Sequence, residues 1–337
     1  MTRAFVCGCA GPRLSPIEAE FIAKAQPWGL ILFKRNVETP DELRALAQEF
    51  RAAVGRADAP VLIDQEGGRV QRMKPPHWPA YPAATDFDAK ISDPSRALRA
   101  AGLTARLIAH DLRKVGVTIN CAPVLDVAEP GTHEVIGSRA YSSDPARVAE
   151  FGRVVCEAFK AGGVAPVVKH IPGHGRARVD SHLELPIVSA SLAELEARDF
   201  APFKQLRDMP MAMSAHVVYR AIDPDRPATT SAAVVASIMR GAIGFDGLIL
   251  SDDLSMKALQ GGFADRTRRV FAAGLDIALH CNGDLAEAGE VAGAAPLLSG
   301  IAMRRAEAAL ECVRAGPQPF NVEEARAQLQ ALMAAAA

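Results

Sequence analysis

Residues 167–182 read VVKHIPGHGRARVDSH, a stretch that passes from an apolar run to a cluster of reactive side chains. Its β-branched valines predict a buried strand, which should end at Lys169 and His170. The glycine-containing loop that follows closes on Asp180 and His182. Because groups of this kind at the carboxyl end of a strand usually face a site, the stretch predicts an enzyme.

Short apolar, β-branched runs recur along the whole chain, separated mostly by segments with helical periodicity. The eight runs lie at 4–10, 29–33, 60–64, 117–127, 164–170, 211–218, 247–251 and 275–280. Strands alternating with helices in this way predict an α/β fold, a single-domain (β/α)8 TIM-like barrel. A doubly wound sheet is the alternative, but the first run is followed by GCAG and not by a GxGxxG phosphate loop.

Helix-start signals agree with this alternation. Ser15, Thr39 and Ser191 each precede a glutamate by three residues, the pattern of a capping box. Pro145 after Asp144 begins a further helix. We expect residues 1–337 to form one catalytic domain, with closing helices from about residue 284 onward.

Composition excludes several classes of partner. The chain is 49% hydrophobic with a formal net charge of −1, so it predicts no nucleic-acid partner and no membrane surface. No run approaches the roughly 18 apolar residues of a membrane span, and the apolar run near the N-terminus is too short for a signal peptide. The six cysteines form no disulfide framework, which indicates reduced thiols in a cytoplasmic protein.

Polar side chains collect where the barrel strands should end. Asp64 follows the third strand, and the seventh ends on Asp252 and Asp253. We expect Asp253 to cap the next helix through its first N–H groups. Asp252, flanked by Lys and His from another strand, is a candidate nucleophile, metal ligand or general base, and the residues themselves do not choose among these.

Four motifs in this order carry a family resemblance: IDQEGGRVQR, IGSRAYSSDP, KHIPGHG followed by DSH, and SDDLSM. Together they resemble the β-N-acetylglucosaminidases of glycoside hydrolase family 3, in particular its single-barrel bacterial subgroup, over nearly the whole chain. Small departures are Ile171, where phenylalanine is common, and Ala140-Tyr141, where Ser-Phe is common.

The resemblance implies a retaining double displacement. Asp252 is then the nucleophile, His182 the general acid/base and Asp180 the residue that orients His182. A histidine suits this role because an imidazole titrates near neutrality, whereas a carboxyl would need a large upward pKa shift. The glycines of the loop, on this view, let His182 close over the substrate and retract.

The resemblance also implies a clamp for one N-acetylglucosamine. Its predicted members are Asp64, Arg72, Arg139, Lys169 and His170. Charged groups suit such a clamp because their hydrogen bonds are strong and fix orientation. Among other polar residues near the strand ends, Glu66 and Arg69 are interpreted as scaffold and Asp126 as a group that holds neighbouring backbone. His216 and His280 are interpreted as satisfied histidines. His174 is open between loop packing and a substrate contact.

The implied substrate is a peptidoglycan fragment, N-acetylglucosamine linked to 1,6-anhydro-N-acetylmuramic acid with or without its peptide. The implied activity is exo-β-N-acetylglucosaminidase action in cell-wall recycling, without a metal or other cofactor. A small-molecule amino-sugar substrate is the only partner predicted, and the sequence makes no prediction of the oligomeric state.

Three other functions compete with this one. A metal-dependent hydrolase would use His170, His174, His182 and Asp252, but Ile-Pro-Gly between the first two histidines prevents a regular helix, and the first strand lacks an HxH pair. A β-N-acetylglucosaminide phosphorylase would use the same residues as the hydrolase, since a histidine acid does not repel phosphate. A non-catalytic binding module would leave Asp252 and the Asp180–His182 pair without a purpose.

Overall fold

The computed structural model describes residues 1–129, 136–177, 179 and 184–334. Strands are numbered along the chain as β1 (Arg3–Cys7), β2 (Pro27–Leu32), β3 (Val61–Ile63), β4 (Gln65–Gly67), β5 (Val70–Gln71), β6 (Ile119–Asn120), β7 (Ala165–Ile171), β8 (Ile187–Val188), β9 (Met211–Ser214), β10 (Val218–Tyr219), β11 (Leu248–Asp253) and β12 (Ile277–His280).

Helices are α1 (Pro16–Ala25), α2 (Pro40–Val54), α3 (Ala84–Lys90), α4 (Pro94–Lys114), α5 (Pro145–Ala161), α6 (Leu192–Glu194), α7 (Ala201–Gln205), α8 (Phe263–Ala273), α9 (Leu285–Ala294), α10 (Gly300–Ala309), α11 (Glu311–Ala315) and α12 (Val322–Ala334). Wide π-type turns form Leu195–Asp199 and Val234–Ala242. Short 3-10 turns form Lys34–Asn36, Gly137–Arg139 and Ala228–Thr230.

Eight of the strands close into a barrel in the order β1-β12-β11-β9-β7-β6-β3-β2. All eight pairings are parallel, and each barrel strand lies beside its neighbours in chain order. The predicted (β/α)8 barrel is therefore confirmed and the doubly wound alternative is wrong. Each of the eight apolar runs overlaps one barrel strand, because parallel strands buried on both faces need apolar residues at nearly every position.

The helix starts follow the predicted capping. The hydroxyls of Ser15, Thr39 and Ser191 each accept a hydrogen bond from the backbone N–H of the glutamate three residues on. The Asp144 carboxylate accepts one from the backbone N–H of Ala146 at the start of α5. These side chains satisfy N–H groups that have no partner within the helix.

Two short pairs lie outside the barrel. The antiparallel β4–β5 hairpin directly follows β3, and β8 pairs with β10. The pairing of β7 with β9 shifts register between Lys169 and Ile171, and the Lys169–His170 peptide bond is cis. All six cysteines are free thiols, and five of them are buried. No helix in the described ranges is long and apolar enough to cross a membrane.

Candidate active site

Three predicted site residues extend the inward-facing rows of the barrel. Leu62 on β3, Val167 on β7 and Leu250 on β11 all belong to the apolar cluster that fills the barrel interior. Successive side chains of a strand point to opposite faces. The residues two positions further on therefore lie on the same inner face at the carboxyl ends: Asp64, Lys169 and Asp252.

Five charged side chains form one ion network at this end of the barrel. Lys169 Nζ donates to Asp64 Oδ1 at 2.8 Å and lies 2.7 Å from Glu66 Oε1. Arg72 donates to Asp64 Oδ2 at 3.1 Å. Arg139 donates to both carboxylate oxygens of Glu66, at 2.9 and 2.8 Å. The structure thus brings four of the five predicted clamp residues into one connected group.

The electrostatics of the network hold its two carboxylates and Lys169 charged. Burial alone would raise the pKa of the Asp64 carboxyl, but Lys169 and Arg72 bring it well below its usual range. For Glu66, Arg139 and Lys169 likewise outweigh burial and lower the pKa to about 2. The two carboxylates in turn raise the pKa of Lys169 against its own burial. Charged hydrogen-bonding groups are therefore in place across the neutral pH range.

His170, the fifth predicted clamp residue, is held by Asp126. Asp126 Oδ2 lies 2.6 Å from Nδ1 of His170, and its Oδ1 accepts from the backbone N–H of His170 at 3.1 Å and of His174 at 2.7 Å. Burial would raise the pKa of the Asp126 carboxyl, but its interaction and hydrogen bond with His170 lower that pKa to about 2. The prediction that Asp126 holds backbone is confirmed, and Asp126 also orients the His170 ring.

Asp252 lies at the end of β11, partly exposed, and its Oδ1 accepts from the backbone N–H of Asp253 at 2.8 Å. Besides burial, its charge and that of Asp64 both contribute to the raised pKa of the Cys121 and Cys281 thiols. The carboxylates of Asp64 and Asp252 therefore influence the same two thiols, those of Cys121 and Cys281, in the barrel interior.

Asp253 does not cap a helix, and that expectation is wrong. Its Oδ1 accepts from the backbone N–H groups of Ser255 at 2.9 Å and Cys281 at 3.1 Å, and its Oδ2 from the Ser255 hydroxyl. The next helix, α8, begins only at Phe263. Asp253 instead closes the turn after β11 and ties it to the end of β12, which fixes the backbone beside Asp252.

The described part of the loop around His174 is closely packed, and the expectation that its glycines let His182 move stays a prediction. His174 is 2% exposed, and burial lowers its pKa to about 4. Gly173 has φ +139° and packs on Asp199, while a Cβ at Gly175 would lie 2.0 Å from the carbonyl oxygen of Val127. Glycine at these two positions permits the close packing and, at Gly173, the positive φ.

The stem of the loop is tied down on both sides. The Tyr219 hydroxyl donates to the carbonyl oxygen of Gly173 at 2.5 Å. Arg176 donates to Asp199 at 2.7 Å and to Glu129 at 3.1 Å. The predicted acid/base His182 and its partner Asp180 lie outside the residues that the structure describes.

The remaining rim histidines are occupied by structural contacts. His216 is fully buried, with Nδ1 2.8 Å from the Thr229 hydroxyl and Nε2 3.0 Å from the carbonyl oxygen of Asp253. His280 is fully buried and its Nε2 lies 3.1 Å from Glu287. The interpretation as a satisfied histidine fits His216, whereas Nδ1 of His280 is buried without a hydrogen-bond partner among the residues that the structure describes. Within the described ranges no group of three or more His, Cys, Asp or Glu side chains has the arrangement of a metal site.

Sequence reasoning missed two contributors to the site. Glu66 contacts both Lys169 and Arg139, and its spacing of two residues from Asp64 was the available signal, since it places both on one face of an extended segment. Phe33, at the end of β2, has the guanidinium groups of Arg72 and Arg35 each 5.1 Å from its ring centre. No local pattern marks that contact.

Comparison with known proteins gives a consistent result. The model of the glycosyl hydrolase family 3 N terminal domain matches residues 8–315. Curated β-hexosaminidases from Bordetella avium and Methylococcus capsulatus are 38% and 41% identical, each over 81% of this chain, and over 79% and 80% of their own lengths. Native NagZ from Neisseria gonorrhoeae superposes with a TM-score of 0.87 at 33% identity, covering 98% of both chains. A second structure of that protein, with the same TM-score, identity and coverage, is a complex with N-trifluoroacetyl-D-glucosamine.

Proposed function

This chain belongs to glycosyl hydrolase family 3 and is a β-hexosaminidase of that family, and from this premise we propose that it is a retaining exo-β-N-acetylglucosaminidase of peptidoglycan recycling. Its proposed substrate is N-acetylglucosamine linked to 1,6-anhydro-N-acetylmuramic acid, with or without the peptide. The observation that carries the proposal is the position of Asp252 on the inner face of the barrel in line with Lys169 and Asp64.

In the proposed first step the Asp252 carboxylate attacks the anomeric carbon. The bond from that carbon to the leaving oxygen breaks, and His182 gives its proton to that oxygen. A glycosyl-enzyme ester with inverted configuration results. His182 then takes a proton from water, which attacks the same carbon and releases Asp252, so that the product keeps the β configuration.

The ion network supplies the proposed sugar clamp. Asp64 has acceptor capacity beyond its bonds to Lys169 and Arg72, while the cations are donors only. Ring hydroxyls both donate and accept, so this mixed set is able to fix one sugar in a single orientation. The N-acylglucosamine in the gonococcal NagZ complex supports an amino sugar as the ligand of this fold.

The proposal is tested by hydrolysis of 4-nitrophenyl β-N-acetylglucosaminide beside the matching β-glucoside, with wild type and Asp252→Ala. We expect cleavage of the acetamido sugar only, and its loss in the variant. NMR of the first-formed sugar should show the β anomer. Release of the α anomer first would overturn retention, and cleavage of both sugars alike would overturn the specificity.

The natural substrate needs its own comparison. We expect a higher kcat/KM for the N-acetylglucosaminyl-anhydromuramyl disaccharide than for chitobiose, in which the aglycone is a second N-acetylglucosamine. Equal values would contradict a role in peptidoglycan recycling. The proposed cytoplasmic location follows from that substrate, and detection of the enzyme in the periplasmic fraction of its host would contradict it.

Product analysis separates the competing reactions. Assays with and without inorganic phosphate should both give free N-acetylglucosamine, whereas sugar 1-phosphate as the main product would identify a phosphorylase. Activity should survive treatment with a metal chelator. Loss on chelation and recovery on adding zinc would favour the metal-dependent hydrolase.

A further inference from the structure

Glu66 contacts two of the predicted sugar-binding cations at once. Its Oε1 lies 2.7 Å from Lys169 Nζ and accepts from Arg139 at 2.8 Å, and its Oε2 accepts from Nε of Arg139 at 2.9 Å. The side chain is 9% exposed. The Glu66 carboxylate is thus paired with two predicted clamp residues, Lys169 and Arg139, and is not a solvated surface charge.

The contacts of Glu66 restrict the orientation of the Lys169 ammonium and the Arg139 guanidinium. An ammonium group has three N–H donors. Two of those on Lys169 are engaged by Asp64 and Glu66, and the group is 2% exposed, so the direction of the third is set. Two parallel bonds to Glu66 likewise fix the plane of the Arg139 guanidinium.

Glu66 also sets the local charge. The network contains three cations (Arg72, Arg139 and Lys169) against the two carboxylates of Asp64 and Glu66. Removal of the Glu66 charge would leave three positive groups against one carboxylate within the network. An excess of positive charge favours the deprotonated form of any nearby acid.

We propose that Glu66 is a positioning residue of this active site, which orients Lys169 and Arg139 toward the sugar and limits the excess of positive charge beside the nucleophile Asp252. The inference rests on the proposed function, because it needs a sugar bound at these cations. It assigns Glu66 no contact with the substrate, in contrast to Asp64.

The test uses Glu66→Gln and a matched control, Asp276→Asn. Asp276 is also a buried carboxylate shared by two cations, Arg240 at 2.6 Å and Arg305 at 3.1 Å, but it precedes β12 and so lies at the opposite end of the barrel. Glutamine keeps the volume of Glu66, whereas alanine would enlarge the small cavity that Glu66 and Arg139 line.

For Glu66→Gln we expect kcat/KM for 4-nitrophenyl β-N-acetylglucosaminide to fall on the order of 100-fold, because both cations lose their fixed positions. The acidic limb of the pH profile of kcat/KM, which reports the ionisation of Asp252, should move to lower pH. Asp276→Asn should lose thermal stability and keep both kcat/KM and the profile. A merely structural role for Glu66 would lower stability without moving the limb.

Glu66→Asp separates geometry from charge. The shorter side chain keeps the charge but cannot reach both cations, so kcat/KM should fall while the acidic limb stays near its wild-type position. Wild-type kcat/KM and pH profile in Glu66→Gln would overturn the inference. So would failure of both Glu66 variants to fold while Asp276→Asn folds. Failure of wild type to cleave the amino sugar would instead overturn the proposed function.

Discussion

Asp126 Oδ2 lies 2.6 Å from Nδ1 of His170, in a position where Asp126 has no exposure to solvent. A carboxylate at Nδ1 makes that ring nitrogen the donor, which leaves Nε2 as the nitrogen available to a ligand. The same carboxylate accepts from the backbone of His170 and His174. One buried charge therefore fixes both the tautomer of His170 and the backbone that leads into the loop.

We expect Asp126→Asn to lower kcat/KM roughly 10- to 100-fold, the usual cost of losing the group that orients a ligand-binding histidine. Asp111→Asn is the control, since Asp111 on helix α4 is a buried carboxylate that accepts from the Tyr81 hydroxyl. Both variants should lose thermal stability, but only Asp126→Asn should lose activity. Equal activity in the two would show that the His170 contact has no role in turnover.

Asp252→Asn should lower kcat on the order of 10⁴-fold or more, because the neutral amide cannot form the glycosyl-enzyme. Circular dichroism and the thermal unfolding temperature should stay close to those of wild type. Asp253→Asn, which weakens the turn after β11, should cost less activity and more stability. If Asp253→Asn were the more severely inactive of the two, the assignment of the nucleophile would be wrong.

The barrel could be predicted because its strands leave a simple signal. Both faces of a parallel barrel strand are buried, so each run reads as apolar whatever its partners are. Bounds were less predictable. The predicted run 117–127 contains only a two-residue strand, Ile119–Asn120, and the hairpin of β4 with β5 was not expected, since tertiary pairing decides both.

The site could be predicted as far as side chains mark the ends of strands. Asp64, Lys169 and Asp252 are recognisable because a charge interrupts an apolar row. The partners of those charges come from elsewhere in the chain, 44 residues apart for Asp126 and His170 and 73 for Glu66 and Arg139. Spacing along a sequence carries no information about contacts between residues so far apart, so it does not predict the ion pair of Glu66 with Arg139.

His182→Ala should slow unactivated substrates strongly and activated aryl glycosides much less, because a good leaving group needs little protonation. The comparison is kcat/KM for 4-nitrophenyl β-N-acetylglucosaminide and for the muramyl disaccharide, in wild type and variant. His174→Gln is the control: His174 is buried and should affect both substrates equally. Equal slowing by His182→Ala would overturn its role as the acid.

Stability should fall in two stages as the pH is lowered. Burial holds the pKa of His174 at about 4 in the folded protein, below the 6.5 of a free histidine, so protonation of the unfolded chain destabilises the fold from about pH 6.5 downward. Glu66 and Asp126, with pKa values of about 2, stabilise the fold above their unfolded pKa near 4. That stabilisation is lost between about pH 4 and 2.

Urea unfolding between pH 7 and 2 measures both stages. Glu66 and Asp126 should each account for on the order of 2 to 3 kcal/mol of unfolding free energy. His174→Gln should flatten the part above pH 4, and Asp126→Asn should flatten the part below it. A free energy of unfolding that stays constant down to pH 2 would contradict both.

Phe33 should support sugar binding through Arg72. The Arg72 guanidinium has one ion pair, to Asp64, and its Nε is buried without a hydrogen-bond partner among the residues that the structure describes. The Phe33 ring, 5.1 Å from the guanidinium carbon, is therefore a main restraint on its position.

A cation–π contact of this kind contributes about 0.5 to 2 kcal/mol. Phe33→Leu should accordingly raise KM roughly 3- to 30-fold with a smaller change in kcat. Phe33→Tyr keeps the aromatic face and should stay near wild type. If the leucine and tyrosine variants had the same KM, the ring would contribute only volume, and Arg72 would owe its position to Asp64 alone.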